Sequence, residues 1–302
     1  MILVLVPAFL SVDAANDKSA YLWFQDKIPY RGSSDTFKSD LGVQVEAYKK
    51  KLKPDRAEYF RSMNTFTIQG SELQFFSLGY DYVYDSYVAK PKGKFYHLEK
   101  LDPTLDFMGL SGFRSGKTIF IMGEKNHYSN FFSPCAISYE FEHGAWRIQQ
   151  IQHAGFEGRT TDFEQVGKQW EALTEGRKYP KHIHVPHGGA HVLMQRRYRV
   201  RNGRLLPSHD YKIQSPMGAM DDLLDAALKH DIRRVRQLAL SPKLAAQFVR
   251  VCRPFGGDYW DIDESQDNQA TYSPANSDLV FHMVLQDGKW KLSLVSRAPK
   301  KP

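Results

Sequence analysis

Two stretches of the chain carry the same pattern of apolar and polar positions. Residues 135–152 read CAISYEFEHGAWRIQQIQ, and residues 279–296 read LVFHMVLQDGKWKLSLVS. In each stretch an apolar run leads to a two-residue turn, His143-Gly144 or Asp287-Gly288, and an alternating strand with a Trp follows. A turn pair between alternating runs predicts a β-hairpin. The copies lie almost half a chain length apart, which predicts two tandem domains that each close with a Trp-bearing hairpin.

The first predicted domain, residues 19–156, opens with a helix and continues as strands. Asp40 to Lys53 places apolar residues at helical spacing, with lysines on the other side. Residues 80–85 alternate Tyr with Asp or Val, as a half-buried strand does. Further strand patterns cover 95–101 and 118–122. This half of the chain is therefore predicted to be a strand-rich α+β domain.

The second predicted domain, residues 214–302, begins with helices and ends with the second hairpin. Ser241 is a good N-cap, and Pro242 suits the first helical position. The segment LLDAALKHD at 223–231, then Leu240-Ser241-Pro242 and the final DGKWK at 287–291, resemble the nuclear-transport-factor-like superfamily. The resemblance implies a cone-shaped α+β fold here. It implies no single function, because that superfamily includes enzymes, ligand binders and interaction modules.

Between these domains lies a connecting region, residues 157–213, that is basic and rich in His. Residues 163–173 have a helical pattern that includes Val166 and Trp170. Asn202-Gly203 predicts a further hairpin. The whole chain is thus expected to be α+β, with two tandem domains. Each would have N-terminal helices and a curved antiparallel sheet that the Trp-bearing hairpin closes.

Composition agrees with two packed domains and limits the covalent chemistry. The chain has 302 residues, of which 42% are hydrophobic and 25% charged, so it has enough apolar material for buried cores. Its two cysteines are too few for a disulfide framework or a Cys-rich zinc module. Cys135 and Cys252 either form one disulfide or remain free thiols, and the sequence leaves both outcomes open.

The N-terminus carries a candidate export signal. Residues 2–12 form an uncharged apolar run, and the small residues Ala14 and Ala15 suit cleavage. The run is too short to span a bilayer, although the usual positively charged start is missing. The alternative is a buried first strand. We expect residues 1–15 to be a signal peptide, the mature protein to be periplasmic or secreted, and no later segment to span a membrane.

Charge is separated along the chain more than its net value of +7 shows. Residues 177–212 hold nine Lys or Arg and one acid, whereas residues 254–288 hold seven acids and no Lys or Arg. Either these segments attract each other in the fold, or one meets a partner of opposite charge. Aromatic residues among charges are typical interface anchors. The candidate partner-binding residues are Tyr259, Trp260, Asp261, Asp263, Glu264, Arg196, Arg197 and Arg199.

Four histidines form the candidate metal site. His182 and His184 alternate on a predicted strand, and His187 and His191 follow them. Together they could hold Zn²⁺ or Cu²⁺, although no Cys or nearby acid supports them. The alternative is a solvated basic loop. The acidic loop that begins at Asp261 lacks the Gly and the Glu of an EF-hand, so no calcium site is assigned and no other cofactor is expected.

The sequence lacks a convincing catalytic motif. Residues 111–118, SGFRSGKT, approximate a phosphate-binding loop but lack its first Gly. A strand pattern follows them where that mechanism needs a helix. No Gly-x-Ser-x-Gly elbow is present, and neither cysteine lies beside a histidine. We therefore assign no catalytic residue.

These features favour an exported, non-enzymatic protein that binds another protein through charged and aromatic loops. A concrete form of this hypothesis is a periplasmic immunity protein that inhibits an antibacterial toxin. Predicted export argues against a nucleic-acid partner. One alternative is a pocket-bearing enzyme or small-ligand binder of the cell envelope, its pocket lined by residues such as Tyr82, Tyr84 and Phe95. Another is an envelope metal-binding protein.

Overall fold

The computed structural model describes residues 18–32, 34–80, 83–102, 107–128, 131–159, 162–185, 190–252, 255, 259–275 and 277–298. The predicted signal peptide, Tyr82 and His187 lie outside these ranges. The helices are α1 (Lys18–Phe24), α2 (Ser34–Lys49), α3 (Pro54–Tyr59), α4 (Pro216–Leu228), α5 (Ile232–Gln237) and α6 (Pro242–Val251).

The strands follow in chain order. They are β1 (Phe60–Thr67), β2 (Gln74–Tyr80), β3 (Val83–Lys92), β4 (Phe95–Asp102), β5 (Phe107–Ser115), β6 (Thr118–Tyr128), β7 (Phe131–Glu142), β8 (Ala145–His153), β9 (Glu157–Arg159), β10 (Glu164–Val166), β11 (Gln169–Lys178), β12 (Val192–Arg201), β13 (Arg204–Leu206), β14 (Asp210–Lys212), β15 (Trp260–Gln266), β16 (Gln269–Pro274), β17 (Leu279–Gln286) and β18 (Lys289–Arg297).

Strands dominate the fold, and the α+β prediction is wrong. Strands account for 53% of the described residues and helices for 22%. One reason is that residues 157–213, expected to connect two domains, contain the strands β9–β14. Gly167 has a positive φ in the short turn between β10 and β11, so the helical spacing of 163–173 is divided between two strands. The sheets are not wholly antiparallel either, because β4 and β8 pair in parallel.

The chain divides into two compact units. Unit 1 takes its residues from the chain up to His153, from Thr160–Ala172 and from Tyr198–Pro207. Unit 2 takes Ala154–Arg159, Leu173–Arg197 and the chain from Ser208 onward. Residues 157–213 are thus shared between the units, and both β11 and β12 contribute to each.

Unit 1 is built on an eight-stranded sheet in the order β1-β2-β3-β4-β8-β7-β6-β5. The edges of this sheet meet just after β1. The backbone N–H of Gln69 donates to Gly112 O at 2.8 Å, and the backbone O of Gln69 accepts from Arg114 N at 2.9 Å. Gly112 and Arg114 both belong to β5. These two bonds bridge the ends of the sheet at Gln69. They give the sheet a nearly closed, barrel-like form.

The first Trp-bearing hairpin forms as predicted. It joins β7 and β8 through His143-Gly144, and both turn residues have positive φ, as a type I′ turn requires. Trp146 is 3% exposed, and its indole N–H donates to the buried carboxylate of Glu99 at 3.0 Å. In register, Trp146 lies between Phe141 of β7 and Leu101 of β4. It therefore ties the parallel pair to the core of the sheet.

Unit 2 packs α4 and α6 against the four-stranded antiparallel sheet β15-β16-β17-β18. Ser241 caps α6 as predicted, by accepting from Leu244 N. The second Trp-bearing hairpin also forms, around Asp287-Gly288, and leaves Trp290 7% exposed. None of the helices in the described ranges combines the length and the apolar character needed to cross a membrane.

Candidate functional site

A polar cavity of about 730 Å³ lies in unit 1. It is formed by the turns of two hairpins, β5–β6 and β12–β13, and by the middle of β7 and β8. Every residue that lines it is polar, charged or a glycine. The lining residues are Ser115, Gly116, Lys117, Thr118, Ser138, Glu140, Gln149, Gln150, Asn202, Gly203 and Arg204.

Two tight turns form the rim of the polar cavity. Ser115 pairs with Thr118, and Gly116 has a φ of 62° at the first turn position, as a type II′ turn requires. In the other turn, Asn202 and Gly203 have φ values of 52° and 70°, as a type I′ turn requires. The first turn places Lys117 at the rim, and the second places Arg204 there, directly after Gly203.

A β-bulge on β8 brings two glutamines to the polar cavity. Ser138 pairs with Gln150, whereas the next residue of β7 pairs with Ile148, so Gln149 is the extra residue. A bulge interrupts the alternation of a strand and redirects a side chain. Gln149 and Gln150 consequently both line the cavity, although they are neighbours in a strand.

Glu140 is the carboxylate of the polar cavity, and two neighbours favour its ionised form. The Lys117 Nζ lies 2.6 Å from Glu140 Oε2, and the Thr118 hydroxyl donates to Oε1 at 3.1 Å. The bond from Lys117 holds the pKa of Glu140 below its ordinary value, and the bond from Thr118 acts in the same direction. The same contact raises the pKa of Lys117. Both groups are charged at neutral pH, so Glu140 acts as an acceptor.

Ser138 gives the polar cavity a buried hydroxyl. The residue is 1% exposed, and no described residue forms a hydrogen bond with its Oγ. Leaving such a group unsatisfied costs about 1–3 kcal/mol. Buried Ser77 has the usual arrangement, with its Oγ 2.9 Å from that of Ser86. The Ser138 hydroxyl therefore has a donor and an acceptor position that no described residue uses.

Side-chain amides anchor the segment after the Asn202-Gly203 turn to β8. Gln150 Nε2 donates to Leu205 O at 3.1 Å, and Leu205 N donates to Gln150 Oε1 at 2.9 Å. Gln152 Nε2 donates to Leu206 O at 2.6 Å. Arg204 precedes Leu205, so these bonds hold its backbone beside the cavity. Arg204 is an exposed residue and makes no ion pair with a described residue.

The predicted partner-binding aromatics divide between surface and core. Tyr259 is 56% exposed, and His184 packs edge-on against it with ring centroids 4.6 Å apart. Trp260 is 4% exposed and packs against Phe255 and Phe281, so its prediction as a surface anchor is wrong. The reason is strand alternation, which turns Trp260 inward at the start of β15 while Asp261 points outward.

The charged candidates divide in the same way. Asp261 and Asp263 are exposed, and Glu264 accepts a hydrogen bond from the buried Tyr272 phenol. Arg197 is exposed on β12, and Arg199 pairs with Glu171 at 3.4 Å.

Arg196 is buried, contrary to its prediction as a contact residue. It is 9% exposed and donates to Ser208 Oγ and Ser208 O, each at 3.0 Å, and to Asp210 Oδ1 at 3.1 Å. Alternation along β12 turns Arg196 to the inner face, whereas the half-buried Gln195 and the exposed Arg197 on either side turn to the outer face. Arg196 therefore stabilises unit 2 and is withdrawn from the candidate interface.

Acids outside the acidic segment pair with the basic segment 177–212. Its ion pairs in the described structure go to Glu157, Glu171, Asp210, Asp221, Asp222 and Asp225. Each of these acids precedes residue 254. The charge of residues 177–212 is thus partly compensated by neighbours close to it in sequence.

The described members of the four-histidine cluster have separate contacts. His182 Nε2 lies 2.9 Å from Asp225 Oδ1, His184 packs on Tyr259, and buried His191 lies against Tyr179 with ring centroids 4.7 Å apart. His187 lies outside the described residues. In the part of the chain that is described, no group of three or more His, Cys, Asp or Glu side chains is arranged to hold a metal ion. Zinc or copper binding by this cluster stays a prediction.

Both cysteines are free thiols in the structure. Cys135 is buried in unit 1, and Cys252 is partly buried in unit 2. Burial raises the pKa of Cys252 to about 11, so this thiol is protonated at neutral pH.

An ion cluster on α4 predicts acid sensitivity. Asp225 accepts from Lys229, His182 and Lys181, and these bonds hold its pKa well below its ordinary value. A carboxylate whose pKa is lowered by folding stabilises the protein fully above its unfolded pKa of about 3.9. This contribution to stability is lost as the pH falls from the pKa of the unfolded chain through the lower pKa of the folded protein.

We therefore expect the free energy of unfolding to fall below about pH 5, and to fall less steeply in Asp225→Asn. Urea unfolding at a series of pH values measures this. Asp261→Asn, on the exposed face of β15, is the control and should keep the steep dependence. Equal slopes in Asp225→Asn and Asp261→Asn would contradict the role of Asp225.

The residues of the polar cavity were not among the sequence-predicted site residues. Lys117 and Thr118 belong to the SGFRSGKT segment, which forms a β-hairpin turn in agreement with its strand pattern. A usable signal was the difference between the two hairpin copies. Where the first copy has Glu140 and Gln150, the second has Val284 and Leu294.

Comparisons with known proteins do not assign the chain to a family. No family model matches it, and no curated protein matches it. Among solved structures, the chain is similar to a subtype N10 neuraminidase-like protein of A/little yellow-shouldered bat/Guatemala/060/2010, with 10% sequence identity and a TM-score of 0.29. The match covers 80% of this chain and 59% of that chain, so this chain spans less than two thirds of its length. The resemblance to the nuclear-transport-factor-like superfamily stays a prediction.

Proposed function

We propose that unit 1 binds a small, hydroxylated ligand of the carbohydrate class in its polar cavity. The observation that carries this proposal is the buried Ser138 hydroxyl. It lines a cavity of about 730 Å³, and its Oγ has no hydrogen-bond partner among the described residues. The proposal agrees with the small-ligand alternative from the sequence analysis, but it places the ligand in a different pocket. Tyr82, Tyr84 and Phe95 are not among the residues that line this cavity.

The chemistry of the lining matches a ligand made of hydroxyl groups. The Ser138 hydroxyl and the amides of Gln149 and Asn202 can both donate and accept hydrogen bonds, and the Thr118 hydroxyl, which donates to Glu140, can still accept one. Sugar hydroxyls also do both. An apolar ligand would displace water from these groups without replacing its hydrogen bonds. The cavity volume falls within the roughly 300–1,000 Å³ of small-molecule sites.

Saturation-transfer NMR on the full chain tests the proposal with D-glucose, D-galactose and D-mannose, each as the neutral sugar, the uronate and the 6-phosphate. We expect at least one probe to bind in the millimolar range or more tightly. Gln149→Ala should weaken the signal, because the uncharged Gln149 side chain lines the cavity. Glu142→Gln, on an exposed side chain of β7, should leave it unchanged. No signal from any probe, or equal signals from both variants, would overturn the proposal.

Ser138→Ala separates ligand binding from folding. It removes a buried hydroxyl without a described partner, so the free energy of unfolding should stay the same or rise by about 1 kcal/mol. Affinity for the bound probe should fall about three- to tenfold, because one hydrogen bond is lost. Urea unfolding and probe titration measure the two effects.

Ser77→Ala is the matched control for this experiment. Its hydroxyl is bonded to Ser86, so its removal should destabilise the protein by about 1 kcal/mol and leave probe affinity unchanged. A Ser138→Ala protein that loses stability as Ser77→Ala does, with unchanged affinity, would show that the hydroxyl serves folding alone.

A second candidate function, binding of a protein partner, is supported by one feature of unit 2. Tyr259 is 56% exposed at the start of β15, an edge strand that also exposes Asp261 and Asp263. An exposed Tyr beside carboxylates suits a basic partner surface. The immunity-protein form of this hypothesis stays a prediction, as does export to the periplasm, since no comparison bears on either.

A further inference from the structure

We infer that the ligand of the polar cavity carries an anionic group, a carboxylate or a phosphate, and that Arg204 binds this group. The inference rests on the proposed function, because it concerns the same cavity. It narrows the ligand from a hydroxylated molecule to an acidic one, such as a sugar acid or a sugar phosphate.

The two cations of the polar cavity differ in their neighbours. Lys117 is compensated, because its Nζ lies 2.6 Å from the Glu140 carboxylate. Arg204 makes no ion pair with a described residue. Lys117, Arg204 and Glu140 are the charged residues among those that line the cavity. Once the Lys117–Glu140 pair cancels, one positive charge is left, and it lies on Arg204.

The backbone at Arg204 is fixed before any ligand binds. The Asn202-Gly203 turn precedes it, and both backbone groups of Leu205 are bonded to the Gln150 side chain. A fixed backbone lowers the entropy lost when a side chain closes on a ligand. The planar N–H groups of a guanidinium match two oxygens of a carboxylate or phosphate, so Arg204 is suited to hold one of these groups.

Glu140 and Ser138 set the orientation of such a ligand. Glu140 is a carboxylate that Lys117 and Thr118 hold in place, and it disfavours a second anion beside it. It accepts hydrogen bonds from hydroxyls instead. The buried Ser138 hydroxyl also bonds the uncharged part of the ligand. The anionic group of the ligand therefore lies at Arg204, and its hydroxyls lie toward Glu140 and Ser138.

Isothermal titration calorimetry on the full chain tests the inference with the hexose series that binds: the neutral sugar, its uronate and its 6-phosphate. At 50 mM NaCl we expect at least one charged form to bind ten or more times as tightly as the neutral sugar, and this advantage to shrink at 500 mM NaCl. Arg204→Gln should reduce the advantage to less than threefold. The control is Arg201→Gln. Arg201 is the partner of Arg204 across the β12–β13 hairpin, but it does not line the cavity. This variant loses the same charge and should keep the preference for the charged sugar.

The outcomes separate this inference from the proposed function. An advantage for the uronate alone, or for the 6-phosphate alone, supports the inference and identifies the anionic group. A neutral sugar that binds as tightly as both charged forms overturns the inference and leaves the proposed function intact. If Arg204→Gln and Arg201→Gln lose the preference for the charged sugar equally, the inference is also overturned. The net positive charge of this surface would then explain the preference, and no specific contact with Arg204 would be needed. If no hexose form binds, the proposed function fails and the inference fails with it.

Discussion

Replacing Trp146 with Ala is expected to lower the free energy of unfolding by about 3–5 kcal/mol, the usual cost of removing a buried aromatic side chain. The residue is 3% exposed and packs edge-on against Phe141, with ring centroids 5.5 Å apart. Its removal also takes the indole donor away from Glu99, which is 7% exposed. Urea unfolding monitored by circular dichroism measures the change.

Two further variants divide this effect into its parts. Trp146→Phe keeps most of the apolar contact but loses the hydrogen bond to Glu99, so we expect a loss of about 1–3 kcal/mol. Leu294→Ala, at a residue that is 50% exposed on β18, should change stability by about 0.5 kcal/mol or less. A Trp146→Ala protein as stable as Leu294→Ala would contradict the placement of Trp146 in the core.

Replacing Arg196 with Met should have the second-largest effect, a loss of about 2–4 kcal/mol. Arg196 donates to Ser208 and to Asp210 Oδ1, and Asp210 Oδ2 accepts from Gly155 N at 2.9 Å. Met fills much of the same volume but leaves the Asp210 carboxylate without its cation. Removing one partner of a largely buried pair leaves an uncompensated charge, which is why the loss is large.

The control for Arg196→Met is Arg201→Met, at an exposed position of the same strand. We expect the control to change the free energy of unfolding by about 0.5 kcal/mol or less. If Arg196→Met were as stable as the control, Arg196 would belong to the accessible charges, as the sequence predicted. The two proteins are compared by urea unfolding at one pH and salt concentration.

Local sequence rules predicted several elements of this fold correctly. His143-Gly144, Asn202-Gly203 and Asp287-Gly288 all form hairpin turns with positive φ, because few other pairs adopt that backbone easily. Ser241 caps α6, with Pro242 following at the first helical position. Each of these turns and caps depends on residues that are close together in the sequence. The sequence alone is therefore enough to predict them.

Prediction failed where short apolar spacings fit two structures. Val166 and Trp170 fit a helix, but Gly167 permits a turn between them, and pairing of β11 with β12 outweighs local preference. The wrong predictions for Arg196 and Trp260 have a related cause, because the burial of both side chains depends on which face of the strand they occupy. A strand that shifts by one residue exchanges its inner and outer faces, so the direction of these side chains follows from register and not from charge or aromatic character.

The polar cavity illustrates why a site can be missed from the sequence. Lys117 meets Glu140 through the β6–β7 register, Ser138 meets Gln150 through the β7–β8 register, and Arg204 is brought in by bonds from Gln150. These contacts join residues far apart in the chain. No spacing rule relates them. The contrast between the polar first hairpin and its more apolar second copy was the available signal.

A crystal structure of the protein with the most tightly bound hexose derivative tests the central claim, that the polar cavity of unit 1 is a ligand site. The account predicts density for the sugar between the Gly116-Lys117 and Asn202-Gly203 turns. An oxygen of the sugar should lie about 3 Å from Ser138 Oγ, with the anionic group at Arg204. Density for the sugar elsewhere on the protein, with solvent alone in the cavity, would contradict the claim.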